Sequence, residues 1–192
     1  MANRDNHYEA AFEEFLRSRG VPYVAVDEAR RSVLSDGGSI KSLDFIVSGG
    51  VDVSASPGSG ENTRPAGPIS WLVDVKGRRF PSGDVQKQYW KNWSTRDDLL
   101  SLTQWEELFG PSFRGLFVFA YDVLGDRAPL PTEELFRFRG SLYGFIAVPV
   151  ADYAAHAHPI SPRWDTWAMP AAEFRRFARP LAELLGLQMA EN

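Results

Sequence analysis

Cysteine is absent from the 192 residues. Disulfide cross-links, thiolate catalysis and Cys-based zinc sites are thereby excluded, and the absence fits a reducing compartment. No apolar run approaches the roughly 18 residues that cross a bilayer as a helix. The opening segment, Met1 to Tyr8, lacks the basic-then-apolar layout of a secretory leader. These two absences set the expectation of a cytoplasmic protein with no membrane partner. A basic excess is missing as well: the formal net charge is −4. That argues against a protein that coats nucleic acid non-specifically, though not against an enzyme that grips phosphates locally. There is no Gly-rich phosphate loop, no nucleophile elbow around a serine and no dinucleotide fingerprint.

The hydrophobic content, 44%, is that of an ordinary globular chain, and this length buries a core without staples. One domain over 1–192 is expected. Tyr8, Phe12, Phe15 and Leu16 recur at helical spacing, so His7 to Arg19 reads as a helix, with Asn6 as cap and Gly20 as stop. Val21 to Val26 and Ile40 to Val47 read as strands, separated by the turn Asp36-Gly37-Gly38. Residues 49–68 form a Gly/Ser/Pro loop expected to be flexible. Ile69 to Val75 is a third strand, apolar apart from Asp74. Residues 77–94 show no clean period. Asp97 to Phe109 reads as a helix that Gly110-Pro111 ends, and Leu116 to Val123 as a strand buried on both faces. Phe136 to Phe138 and Leu142 to Val150 read as two more strands. In the C-terminal extension, about 151–192, Ala171 to Leu187 reads as a helix kinked at Pro180. A helix between the third and fourth strands predicts a crossover, hence an α/β protein with a mixed sheet.

Two positions break the apolar pattern. On the third strand, alternation places Asp74 and Lys76 on one face, with Val73 and Val75 on the other. The second strand carries Asp44 among apolar neighbours. Burying such charges costs several kcal/mol unless they are paired or bind metal. If the two strands pair, both carboxylates can converge on one cation. The first helix adds Glu9 and Glu13, four apart and so on one face.

A helix with Glu, a strand with Asp and a strand with Asp/Glu-x-Lys, in that order, resembles the PD-(D/E)XK nucleases. Archaeal Holliday-junction resolvases and restriction-like endonucleases belong to that group. The resemblance covers roughly residues 8 to 120. The start His7-Tyr8-Glu9-Ala10-Ala11-Phe12-Glu13 also resembles bacterial proteins with a His-Tyr-Glu-x-Ala-Phe-Glu opening. The resemblance implies a restriction-endonuclease-like, three-layer αβα fold around a central mixed sheet. It implies a Mg²⁺-dependent (or Mn²⁺-dependent) phosphodiesterase acting on DNA, and dimerisation, which is common among relatives. It maps the family's acids to Asp44 and Asp74 and its lysine to Lys76. Glu9, rather than Glu13, matches the helix glutamate. The Val75 carbonyl becomes a third metal ligand, and Gln104 becomes the glutamine carried by the following helix, ahead of Gln86 and Gln88. Leu43 stands where the motif has proline, and Asp74 is one carbon shorter than glutamate.

Basic residues cluster at Arg30, Arg31 and Lys41, at Arg78 and Arg79, and at Lys87 and Lys91. Phosphate contact and a plain solvated surface are the two readings of these clusters. Trp90 and Trp93, beside Lys87 and Lys91, suit base stacking or lid packing. His156 and His158 read as loop residues, and Trp164 to Trp167 as an aromatic plug against the sheet. The alternative to a nuclease is a non-catalytic nucleic-acid- or protein-binding module that keeps the fold.

Overall fold

A computed structural model describes residues 6–27, 32–33, 39–50, 69–83 and 88–187. Of the loop expected at 49–68, residues 49 and 50 belong to a strand, Phe45–Gly50; residues 51–68 and Arg30, Arg31, Gln86 and Lys87 lie outside the described residues.

The first helix, α1 (His7–Ser18), opens where the Asn6 side chain accepts the Tyr8 N–H at 3.2 Å. It closes at Gly20, whose φ of 65° suits a residue without a Cβ. Its apolar stripe buries Ala11, Phe12, Phe15 and Leu16. The Phe12 ring meets Phe45 at 5.0 Å and the Phe15 ring meets Phe145 at 5.1 Å.

The sheet under α1 contains β1 (Tyr23–Ala25), β2 (Phe45–Gly50), β3 (Ile69–Phe80), β4 (Phe113–Val123), β5 (Phe136–Phe138), β6 (Ser141–Pro149) and β7 (Arg179–Pro180). Its order is β1-β2-β3-β4-β6-β5, with β7 also paired to β6. Among the described residues only β3 and β4 run parallel, and the crossover between them carries α2 (Arg96–Phe109). The remaining pairs are antiparallel. The expected mixed sheet is therefore present, with α1 on one face and α2 on the other.

Alternation along β3 sorts its side chains between these two layers. Val73 and Val75 join the cluster that holds Phe12 and Leu16 of α1. Leu72 joins the cluster that holds Leu99 and Leu102 of α2. Asp74 and Lys76 share the face of Leu72 and so look towards α2. Residues 115–121 of β4 are buried throughout, as a strand covered on both faces must be. Gly77 leaves room for α1: a Cβ there would overlap the Tyr8 ring.

Several expectations need correction. β3 continues past Val75 to Phe80, because parallel pairing runs on through Arg79↔Asp122 and Phe80↔Val123. Asp44 sits at a bend just before β2 rather than inside a strand. The C-terminal helix is broken, not kinked. It divides into α4 (Ala171–Phe177) and α5 (Leu181–Leu184), with Arg179–Pro180 paired to β6 between them. Proline lacks the N–H and fixes φ, which suits a strand edge better than a helix interior. A further helix, α3 (Val150–His156), follows β6 directly.

Beyond α3, His158–Ser161 and Thr166–Ala168 form a hairpin whose second strand pairs with Ser94–Thr95. Trp164 at its tip is 67% exposed. Trp164 is no plug against the sheet, whereas Trp167, at the other end of the expected plug, packs against the core cluster of α2. His156 stacks on Phe177, ring centres 4.4 Å apart, and lies 3.8 Å from Glu173.

Candidate active site

The Lys76 ammonium is held between two carboxylates. Its Nζ lies 2.7 Å from Asp74 Oδ1 and 2.9 Å from Asp98 Oδ2. All three side chains are nearly withdrawn from solvent. Burial disfavours the Lys76 ammonium, yet Asp74 and Asp98 more than offset it and raise its pKa above the ordinary lysine value. Burial pushes the Asp74 pKa upward; Lys76 opposes the rise and Asp98 adds to it. For Asp98, burial acts in the same direction, but Lys76 and Lys41 prevail and hold its carboxyl well below the usual range.

Asp98 reaches this place because it also begins α2. Thr95 and Asp98 form a capping box. The Asp98 N–H donates to Thr95 Oγ1 at 3.1 Å, and Asp98 Oδ2 accepts the Thr95 N–H at 3.1 Å and the Ser94 hydroxyl at 3.2 Å. Its other oxygen, Oδ1, pairs with Lys41 Nζ. Lys41 is 43% exposed and lines the same cleft. Trp105 fixes the Lys41 backbone by donating from Nε1 to its carbonyl at 2.8 Å. Ser42, Leu43, Ser101 and Leu102 complete the lining around Asp74 and Asp98.

Asp44 grips β3 on both sides of Asp74. Its N–H donates to the Val73 carbonyl at 2.9 Å, and its Oδ2 accepts the Val75 N–H at 2.6 Å. The Asp44 carboxylate thus takes a strand amide at the point where the β2–β3 ladder ends. The two acids singled out by sequence are both buried and occupy adjoining stretches of backbone.

The other candidates are scattered. Glu9 is buried in the first turn of α1, with Asn6 Nδ2 donating to its Oε1. Gln104 is exposed on α2 and is absent from the cleft lining. Arg78 stacks on Trp93 at 3.9 Å and donates to the carbonyls of Gly77 and Trp93. Trp93 therefore serves as a platform for the chain's own guanidinium. Trp90 packs edge-on to Phe80 and Phe174. Arg79 and Lys91 are exposed.

Among the described residues, no group of three or more His, Asp or Glu side chains is arranged to hold a metal ion. Glu9, Asp44 and Asp74 are therefore not gathered as a three-acid cluster. A Mg²⁺-type cation needs only one or two carboxylates and keeps several waters. The hard oxygen donors of Asp44 and Asp74 fit that requirement.

Asp98 is the residue that sequence reasoning missed. Its signal is Thr95-Arg96-Asp97-Asp98, the capping-box spacing immediately before an apolar-periodic run.

No family model matches this chain, and no curated protein matches it. Among solved structures it is similar to Hjc, a Holliday junction resolvase from the archaeal hyperthermophile Archaeoglobus fulgidus. The identity is 10%, the TM-score 0.46, and 95% of each chain is covered.

Proposed function

We propose that this chain is a divalent-metal-dependent nuclease that hydrolyses phosphodiester bonds of DNA. The observation that carries the reading is the buried contact of Lys76 with Asp74, with Asp44 hydrogen-bonded to the intervening residue Val75. Charges this deep in a sheet cost several kcal/mol each unless they are paired or serve a ligand. An acid–lysine pair two residues apart, beside a second acid at the head of the neighbouring strand, resembles the arrangement of the PD-(D/E)XK nucleases.

Asp44 and Asp74 would hold the cation, joined in the proposal by the Val75 carbonyl. Bound Mg²⁺ or Mn²⁺ neutralises phosphate charge and lowers the pKa of water. Lys76 remains protonated and offers a fixed positive charge to the phosphate oxygens as their charge grows. Glu9 enters the proposal from the order of the sequence motifs alone. Lys41, Arg79 and Lys91 present ammonium or guanidinium groups to solvent, where a phosphate backbone can meet them.

The test is incubation with plasmid, single-stranded and branched DNA, with Mg²⁺, Mn²⁺ or EDTA. Metal-dependent cleavage that disappears in Asp74→Ala and Lys76→Gln is expected. Equal cleavage by wild type and Asp74→Ala would remove the proposal.

One observation favours a second reading. Lys76 and Lys41 already find carboxylate partners within the chain, as in a purely structural ion network. On that reading the fold is a non-catalytic binding module. Calorimetry would then show no Mg²⁺ or Mn²⁺ uptake.

A further inference from the structure

Asp98 stands outside the motif that singled out Asp44, Asp74 and Lys76, yet it touches the lysine directly. Three features hold it in place, the first two beyond what an ordinary helix cap needs. Its side chain is 5% exposed. Both of its oxygens are engaged by ammonium groups, Oδ1 by Lys41 and Oδ2 by Lys76. Oδ2 is itself fixed by the Thr95 N–H and the Ser94 hydroxyl. A lysine side chain has four rotatable bonds and a compact head that takes no fixed direction on its own. A second carboxylate, rigidly held by a helix start, supplies that direction.

We propose that Asp98 is a positioning residue that fixes the Lys76 ammonium against the Asp74 carboxylate. The consequence for turnover rests on the nuclease reading above; the placement of the ammonium does not. Asp98 makes no contact with substrate in this role. It acts through Lys76, as an outer partner orients a group that meets the reacting atoms.

The experiment has two arms. In the first, ¹⁵N-labelled wild type, Asp98→Asn and Thr95→Ala are compared by the ¹H–¹⁵N signal of the Lys76 ammonium, assigned by its loss in Lys76→Gln. Wild type should show a protected signal at low temperature. Asp98→Asn should lose it to solvent exchange, and Asp98→Glu should restore part of it. Thr95→Ala weakens the cap but leaves the carboxylate in place, so it should keep the signal. A folded wild type with no protected Lys76 signal overturns the proposal even if Asp98→Asn fails to fold. So does an unchanged signal in Asp98→Asn.

In the second arm, cleavage of a fluorescent branched oligonucleotide with Mg²⁺ is followed in the same variants. Asp98→Asn should lower kcat by about 10–100-fold with KM little changed. Thr95→Ala, which is destabilised at the same helix end, should retain turnover. An equal loss in both variants makes Asp98 merely structural and ends the proposal. No cleavage by wild type sinks the nuclease reading instead, and the ammonium signal alone then decides on Asp98.

Discussion

Asp44 accepts the Val75 N–H through its side chain at 2.6 Å, where an ordinary strand partner would offer a backbone carbonyl. This side-chain bond takes the place of a ladder bond at the end of the β2–β3 pairing. Asp44→Ala should leave a buried amide without an acceptor and cost about 1–3 kcal/mol. Asp44→Asn keeps an acceptor and should cost less. Urea unfolding of both variants checks the order, and equal losses would refute it.

Lys76 is the hub of the ion cluster, so its removal should be more damaging than that of a surface lysine. Lys76→Met leaves Asp74 and Asp98 facing each other in a buried cleft. A loss of about 3–5 kcal/mol at neutral pH is expected. Part of it should return at mildly acidic pH, where the already elevated Asp74 carboxyl takes up a proton. A pH-independent loss in denaturant unfolding would contradict this.

Asp98 gives the opposite acid signature. Its folded pKa is held below the unfolded value, so its contribution is complete above about pH 5. That contribution is lost as the pH falls below roughly 4 and through the folded pKa. The stability gap between wild type and Asp98→Asn should therefore narrow from pH 7 to pH 3. A gap that widens on acidification would show that another group dominates.

Gly77 and Tyr8 touch so closely that a methyl group at 77 has no room. Gly77→Ala should cost about 1–3 kcal/mol by overpacking. Adding Tyr8→Ala should recover part of that cost, because the ring is the obstacle. Strict additivity of the two changes in thermal unfolding would refute the contact.

Trp164, exposed at its hairpin tip, should be nearly neutral. Trp164→Ala is expected to change stability by no more than about 0.5 kcal/mol. A large loss would restore the aromatic-plug reading.

The legibility of the chain follows from how strongly each residue violates its surroundings. Asp74 and Lys76 stood out because they interrupt an apolar strand, and Asp44 because its neighbours are apolar. The extension of β3 to Phe80 was hidden by Arg78 and Arg79, which look like loop residues. Arg78 lies over the Trp93 ring, a contact between residues fifteen apart that no local pattern displays. The C-terminal segment carries good helix formers on both sides of Pro180, so local propensity pointed to one helix. Its pairing with Ile146 and Ala147 decided otherwise. Asp98 falls inside the helix that spacing predicts over Asp97 to Phe109, and nothing local marks it out as a partner of Lys76, because its role depends on where the crossover sets α2 down.

The hairpin at 158–168 ties the chain's last third to the lysine. The Arg96 N–H donates to the Asp165 carbonyl at 2.8 Å, and Thr166 pairs with Thr95. Asn92 is clasped by the Met169 carbonyl and the Tyr153 hydroxyl. The start of α2 is thus moored by residues far downstream of the motif-bearing part. A fragment trimmed to roughly 8–120 would keep Glu9, Asp44, Asp74, Lys76 and Asp98 in its sequence yet lose the mooring that brings the last of them to the fourth.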